Sequence, residues 1–599
     1  VVRELSNNGK FCDELFFALI DDDLENWSRG QDPCSPRMFA AKRLRNRLRK
    51  KYCPEGCRNK AADANAINKF LLIQESLRRP KIVLDPLILG EMQAFIYHVI
   101  EHGMFQLSDN PVAGTTFDTD VVLQRWNTGP GSSNGSDFTH FVEKFGDNQL
   151  SFSNAADLLL PYLANISPLI FGRFIGRGDG CLKKVGGSKG ACVPKTPEES
   201  RFIGSEPVVN MCGQLALGNT IADCLKLIGL DISKQQPLNQ VLALMGSIVG
   251  DSVGGTRLCT IDLSSASDWI SLPLLCKLLP RDVYRYVVAV RSQTIDIVDD
   301  SGMVNTHIIR SASTMGNGFT FPIMTLILLA AVYAVGRTKL GWKRNHVPWD
   351  VVGVFGDDII CPSSIYKDVV EVLEGMFLKV NKDKSYYEGY FRESCGGDYF
   401  QGYNVTPFYI KDLTQISGRV IALNQLIKWS SEHQIHLKSS FWYLVDSIPS
   451  KYRNEVPSWD ADYAGIKTTR PMRAYTRASL RFRPKVSHCH ADFKLVCAVG
   501  GYIIPIVNGK SRLDSVTVAD YSSRELSAIE LELISFCYFD SGRVTYLPRE
   551  SQSTYVLHRC DDDPKRDITI PYRASIGRGG YNRRSVWLER LAYMASVGD

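Results

Sequence analysis

The stretch Val351-Val352-Gly353-Val354-Phe355-Gly356-Asp357-Asp358-Ile359-Ile360-Cys361 constrains this chain more than any other. Two apolar, β-branched runs flank Gly356-Asp357. A two-residue link that begins with glycine is a hairpin turn, because glycine adopts positive φ without a steric penalty. Such a hairpin buries both strands and lifts two adjacent carboxylates to its tip. Alone, Gly-Asp-Asp would be no more than a good polar turn. Its surroundings decide the matter.

A further carboxylate lies 357 − 262 = 95 residues upstream, where Arg257-Leu258-Cys259-Thr260-Ile261 reads as a strand that runs into Asp262. If the two strands are neighbours, Asp262 stands beside Asp357. Two carboxylates about 4 Å apart repel by roughly 4 kcal/mol at an effective dielectric near 20, so something must neutralise them. Protonation would raise one pKa, whereas a divalent cation would keep both ionised. Hard oxygen ligands with no histidine nearby favour Mg²⁺, with Mn²⁺ as a substitute, over Zn²⁺. Two such ions about 4 Å apart can activate a 3′-hydroxyl and stabilise a departing pyrophosphate, which is the chemistry of nucleotidyl transfer.

The neighbouring segments suit that chemistry. Ser313-Thr314-Met315-Gly316-Asn317-Gly318-Phe319-Thr320 is a small-residue loop in which glycines permit close approach and Asn317 can both donate to and accept from a sugar hydroxyl. From Gly172 to Arg201, glycines alternate with Arg173, Arg177, Lys183, Lys184, Lys189, Lys195 and Arg201, a mixture suited to triphosphate or RNA backbone. Val380-Asn381-Lys382-Asp383-Lys384-Ser385 offers Lys384 to protonate a leaving pyrophosphate, and Phe391-Arg392-Glu393-Ser394-Cys395-Gly396 offers Arg392 to grip a primer strand.

At 599 residues the chain exceeds what one core organises, so several subdomains around a cleft are expected. The net charge of +6 is too mild to prove a nucleic-acid partner by itself. Sixteen scattered cysteines, several in apolar runs, read as reduced thiols in a cytoplasmic setting. Cys53 with Cys57, and His488-Cys489-His490, lack the second ligand pair that a zinc finger needs. The opening Val1-Val2-Arg3-Glu4 carries no charged-then-apolar leader, so no secretion is expected. Phe319 to Val335 is apolar but short and interrupted by Thr320, Pro322 and Thr325, which predicts a buried core helix and no membrane partner.

Two further expectations concern texture. The basic stretch Lys42 to Lys51 lacks a wide apolar stripe and reads as a solvated face or an anion contact. The Gly/Ser/Asn-rich stretch Asn127 to Gly135 reads as an exposed linker or a phosphate-touching loop. Towards the C-terminus, Arg470, Arg473, Tyr475, Arg477, Arg481, Phe482 and Arg483 mix charge with stacking rings, as single-stranded RNA requires. That mixture alone would also serve a non-enzymatic RNA-binding scaffold.

Thr260 to Asp268, Ser313 to Thr320, Phe355 to Ile360, Phe391 to Gly396 and Val405 to Lys411, with Val193-Pro194-Lys195 and Asn239-Gln240, together resemble the replicase subunit of the small positive-strand RNA bacteriophages, the leviviruses. The resemblance implies an α+β right-hand polymerase whose antiparallel-sheet palm carries the Gly-Asp-Asp hairpin. It also implies an N-terminal helical region (1–90) associated with the fingers, fingers with a basic Gly-rich loop (91–256), a palm (257–411), and a thumb with C-terminal region (412–599). Asp262, Asp357, Asp358 and Lys384 would be catalytic, with Asp262, Leu263, Asp357 and Asp358 at two Mg²⁺ ions. Lys195, Arg201, Asp268, Ser313, Gly316 and Asn317 would bind the nucleotide; Arg392, Arg473, Arg477 and Arg481 would bind RNA. Implied partners are RNA template and product, ribonucleoside triphosphates, host elongation factors Tu and Ts, and a small-subunit ribosomal protein, in the cytoplasm of a bacterial host. A reverse-transcriptase-like palm polymerase would use the same carboxylates.

Overall fold

The computed structural model describes residues 11–468 apart from 55–58, 130, 137–143, 146–148, 176–180, 251–256, 300, 450–452, 454, 458–461 and 464; beyond 468 it describes only the strands at 480–483, 494–499, 502–506 and 556–559. The chain forms two compact units, Val1–Arg29 with Ile410–Asp599, and Gly30–Tyr409.

In the first unit, helix Asp13–Ser28 packs on helix Lys438–Ser447, which neighbours Ile416–His433. The Asp23 carboxylate accepts the backbone N–H groups of Ser439 (3.2 Å) and Ser440 (2.9 Å) and the Ser440 hydroxyl (2.6 Å), capping that helix start. Tyr443 accepts the Cys12 N–H at 2.8 Å and stacks on Phe11. These contacts join residues 11–28 to the helix at 438–447.

The second unit positions the site. Its helices include α1 (Pro36–Arg47), α2 (Lys60–Ser76), α3 (Pro86–Leu107), α4 (Val208–Leu227), α5 (Ile232–Val249), α6 (Ala266–Trp269), α7 (Thr320–Leu340) and α8 (Tyr366–Gly375). Its strands include β1 (Ser188–Pro194), β2 (Ser200–Ser205), β3 (Leu258–Ile261), β4 (Thr294–Val298), β5 (Val304–Ile308), β6 (Gly353–Phe355), β7 (Asp358–Pro362), β8 (Phe391–Ser394) and β9 (Gly397–Phe400). α7 is the apolar segment noted in the sequence, long enough by composition to cross a membrane, but here it is the core, packed against α3 and α4.

β3, β7 and β6 form an antiparallel sheet in the order β3-β7-β6, with Leu258 opposite Pro362, Ile261 opposite Ile359 and Phe355 opposite Asp358. The free edge of β3 is covered by the 379–386 segment: Thr260 and Tyr386 exchange backbone bonds at 2.9 and 2.8 Å, and Leu263 bridges Val380. α5 packs on this sheet through Leu242 and Ala243, which cluster with Leu258, Ile360 and Tyr399. Each large apolar side chain so buried contributes about 1.5–3 kcal/mol. A second sheet, ordered β2-β1-β4-β5, lies on α2, where Phe70 meets Phe202, Ile295 and Ile297. Cys259 and Cys361 face each other across β3 and β7 as free thiols, with sulfurs 3.4 Å apart.

Two textural expectations hold only in part. The basic stretch keeps Lys42, Arg45, Arg49, Lys50 and Lys51 exposed, but Leu44 and Leu48 are buried, and Arg43 pairs with Asp398 (2.6 Å) and Glu393 (2.9 Å). A narrow apolar stripe suffices because the arginine is neutralised by β8 and β9 and lies over the Phe391 ring. The 127–135 loop is likewise not simply exposed. Asn127, Thr128 and Ser133 are buried, Asn134 donates its backbone N–H to the Glu206 carbonyl (3.0 Å), and Lys144 donates to the Gly129 carbonyl (2.8 Å). Polar residues enter the interior here because the backbone supplies partners.

Candidate active site

The β6–β7 link is the two-residue hairpin expected: Phe355 pairs with Asp358, and Gly356 takes φ +59. Any side chain at 356 would also collide with the Phe321 ring, 2.4 Å from an ideal Cβ. The Gly356 N–H donates to Thr325 Oγ1 of α7 at 3.1 Å, which ties the turn to the core helix. Asp357 therefore sits at the tip and Asp358 begins β7.

Asp262 follows the Ile261–Ile359 pair directly, so it leaves β3 beside Asp358. A turn from 381 to 385 wraps around it. Asn381 donates its side-chain amide to Asp262 Oδ2 (2.8 Å) and its N–H to the Asp262 carbonyl (2.8 Å), Ser385 Oγ accepts the Asp262 N–H (3.2 Å), and Lys384 Nζ stands 3.9 Å from Oδ2. The structure thus brings Asp262, Asp357, Asp358 and Lys384 together.

All three acids are held above the usual carboxylate range, chiefly by burial. Lys384 and Asn381 oppose the shift at Asp262, while the Asp357 charge adds to it. Lys384 and Arg201 oppose it at Asp357. Asp358 is pushed up to about 6, by burial first and then by Asp357 and Asp262, against the backbone N–H of Cys395. Three mutually repelling, half-buried carboxylates with no histidine among them suit a hard divalent cation. Among the described residues no group of three acids, cysteines or histidines stands assembled around a metal position. Leu263 buries its side chain, so only its carbonyl oxygen could serve as a ligand.

On the cationic side, Arg201 projects from β2 and Lys195 pairs with Glu199 at 2.9 Å. Lys50, just beyond α1, has its ammonium pKa lowered by burial and by the charges of Arg47, Lys384 and Lys195, so the basic stretch reaches the same region. β2 is locked to the 313–317 loop: the Gly204 N–H donates to the Met315 carbonyl (2.9 Å), and Gly316, at φ +110, lies so close that a Cβ would stand 2.6 Å from the Gly204 oxygen. Ser313 and Asn317 are buried in this loop. Asn317 Oδ1 accepts the Phe319 N–H (3.0 Å) at the entry to α7, which uses one of that oxygen's two lone pairs.

Asp268 on α6 has one carboxylate oxygen shut off from solvent without a hydrogen-bond partner. Burial lifts its pKa to about 7, with Lys69 opposing. Glu206 has no sequence signal, being a lone acid before Pro207. It is wholly buried, receives the Ser292 hydroxyl at 2.5 Å, and is raised by burial against the pull of Ser292, Gln214, Arg291 and Asn317. Gln214 in turn accepts the Gly318 N–H at 3.3 Å, so this buried acid underpins the loop that carries Asn317.

Arg392 does not reach for a strand. It is fully buried, donating Nε–H to the Leu258 carbonyl (2.6 Å) and Nη1–H to the carbonyls of Glu388, Gly389 and Phe391 (3.2, 2.8 and 2.7 Å). Its Nε and Nη1 groups brace β8 against β3. Arg473 and Arg477 lie outside the described residues, and Arg481 is described only as backbone, in a strand opposite Val556–Arg559.

A family model described as RNA replicase, beta-chain, matches residues 12–476. The chain is 32% identical to the RNA-directed RNA polymerase beta chain of Enterobacteria phage fr, over 66% of this chain and 70% of that one. It is 39% identical to the corresponding chain of Escherichia phage MS2, over 48% of this chain and 49% of that one. With the beta subunit of Escherichia virus Qbeta it shares 34% identity over 53% of this chain and 52% of that one, so the matched stretch is about half of the latter two proteins. Among solved structures, the RNA-dependent RNA polymerase of a human picorbirnavirus superposes with a TM-score of 0.45 at 11% identity, covering 73% of this chain and 82% of that chain.

Proposed function

The chain belongs to the RNA replicase beta-chain family, and from that premise we propose that it is an RNA-directed RNA polymerase whose chemistry is two-metal nucleotidyl transfer at Asp262, Asp357 and Asp358. The observation that carries the reading is the convergence of Asp262 with the Asp357–Asp358 hairpin on adjoining strands, with Lys384 3.9 Å from Asp262. In this reading the β3-β7-β6 sheet is the palm, residues 91–256 supply fingers and 412–599 the thumb.

Divalent ions bound there would activate the 3′-hydroxyl and neutralise the charge that develops on the α-phosphate and pyrophosphate. The protein's own part is positioning and charge placement. Asp262 and Asp358 are oriented by the main-chain and side-chain partners that surround them, and Asp357 is presented at a turn tied to α7. Arg201 and Lys195 receive the triphosphate, and Lys384 is placed to donate a proton to the leaving pyrophosphate. Asp268 and the Asn317 amide meet the ribose. Asp268, with a pKa near 7, can accept or donate a hydrogen bond to a 2′-hydroxyl, which supports selection of ribonucleotides.

RNA template, RNA product and ribonucleoside triphosphates are the proposed substrates and products. Host elongation factors Tu and Ts, a small-subunit ribosomal protein and the cytoplasm of a bacterial host complete the proposed setting. The test is magnesium-dependent extension on an RNA template by the full chain, with and without bacterial lysate, supplied with ribonucleotides or deoxynucleotides. Asp357→Asn should abolish incorporation and leave RNA binding intact; near-parental synthesis would remove Asp357 from the reacting centre. Preferential use of deoxynucleotides would contradict the ribonucleotide reading.

A further inference from the structure

We propose that Phe377 and Trp269 are positioning residues for sugar selection, holding α6 and its Asp268 in place, an inference that rests on the ribose reading above. α6 is a single turn, Ala266–Trp269, too short to hold its own place. Its position is set by what it is tied to. Ahead of it, residues 262–264 run antiparallel to 379–381: the Ser264 N–H donates to the Lys379 carbonyl and the Asn381 N–H to the Asp262 carbonyl, both at 2.8 Å. Behind it, the Ile270 carbonyl accepts the Ala312 N–H at 2.6 Å, just before the 313–317 loop. α6 thus bridges the end of β3 and the loop that carries Asn317.

A third tie comes from the end of α8. Two backbone bonds close that helix, Leu378 N–H to the Leu373 carbonyl (3.0 Å) and Phe377 N–H to the Glu374 carbonyl (2.9 Å), a pattern that needs a left-handed residue. That residue is Phe377, at φ +70. Glycine normally fills this place, and a bulky side chain with positive φ is an outlier. Contacts of the ring offset the strain. It meets the Trp269 ring edge to face, centroids 5.6 Å apart at 77°, and the Lys379 ammonium stands over both rings, 5.4 Å from Trp269 and 5.3 Å from Phe377.

Trp269 and Asp268 are consecutive residues of the same turn, so a ring that fixes one limits the movement of the other. Asp268 requires such a restraint. One of its carboxylate oxygens is shut off from solvent without a hydrogen-bond partner, and a carboxylate free to swing would find one. The rest of α6 leans on the core: Ala266 and Ser267 are buried where the turn lies against α2 and α7. Trp269 and Phe377 are only partly buried, so their rings meet at the margin of the core, and their loss bears on the turn more than on the fold.

The test measures kcat/KM for a ribonucleotide and its 2′-deoxy counterpart, using the full chain on one RNA template with Mg²⁺. Phe377→Gly removes the ring with a residue that suits the left-handed position, so the end of α8 is kept. It should lower the ratio of the two kcat/KM values about tenfold, the scale of one aromatic pair with its cation. Trp269→Ala should do the same, and the double variant no more than either alone, since both remove one contact. Trp269→Phe and Phe377→Tyr each keep a ring and should retain most of the parental ratio. Thermal melting identifies any variant that fails to fold; if Trp269→Ala does, Phe377→Gly and Phe377→Tyr decide alone. A parental ratio in folded Phe377→Gly, losses that multiply in the double variant, or a loss that the aromatic replacements do not prevent overturns the inference. An unchanged ratio in Asp268→Asn overturns the ribose reading itself.

Discussion

Asp268→Asn should make this protein more stable at alkaline pH while impairing its choice of sugar. The carboxyl is lifted from 3.8 to about 7 by burial, with one oxygen lacking a partner and Lys69 the opposing charge. The difference, 7 − 3.8, is about 3 pKa units, which at 1.36 kcal/mol each caps the cost of the ionised form at about 4 kcal/mol. The folded chain holds this proton more tightly than the unfolded chain does. Stability from this group is therefore full below the unfolded value near 4, declines as pH rises, and is lost once pH passes the folded value near 7. Asparagine keeps the shape and removes the charge. Allowing for relaxation around the site, we expect about 2–4 kcal/mol of stabilisation at pH 8 and almost none at pH 4. For a cooperative unit the size of Gly30–Tyr409 this corresponds to a rise in Tm of about 3–5 °C. Calorimetry of both proteins at the two pH values isolates the effect, since every other group titrates in both. An equal gain at both pH values, or a loss at pH 8, would refute the argument. Extension assays should show the same variant discriminating less against deoxynucleotides, a trade of stability for function.

The Mg²⁺ concentration for half-maximal extension should rise as pH drops through about 6, because a proton on Asp358 competes with the cation; a concentration unchanged down to pH 5 would argue against Asp358 as a ligand. Arg392→Met should destabilise the chain by about 3 kcal/mol or more, measured by urea unfolding, since it leaves buried carbonyls unpaired. At 10 °C, where the variant stays folded, its RNA affinity and salt dependence should match the parent, whereas a flatter salt slope would restore Arg392 as an RNA contact.

What was legible in the sequence was local or periodic. The Gly356-Asp357 turn could be read because turn chemistry and β-branched runs act over a few residues, and Asp262 because a strand running into an acid has the same signature. What remained hidden depended on partners far along the chain. Arg392 looked like an RNA contact because the sequence does not reveal that its side chain turns back onto the carbonyls of 388, 389 and 391 and reaches the distant carbonyl of 258. Glu206 became meaningful only once Ser292 and Gln214 were folded around it. Asn317 sits at a helix entry, where its Oδ1 accepts the Phe319 N–H. The helix Asp13–Ser28 packs with the distant 438–447 helix through Asp23, a pairing no periodicity announces.

Anomalous diffraction from crystals grown with Mn²⁺, RNA and a non-hydrolysable ribonucleoside triphosphate tests the central claim most directly. Manganese should appear between the Asp262 and Asp357 carboxylates, with oxygens at about 2.0–2.2 Å and the triphosphate completing the shell. A nucleotide bound with no anomalous peak there, or with manganese held by other residues, would contradict it.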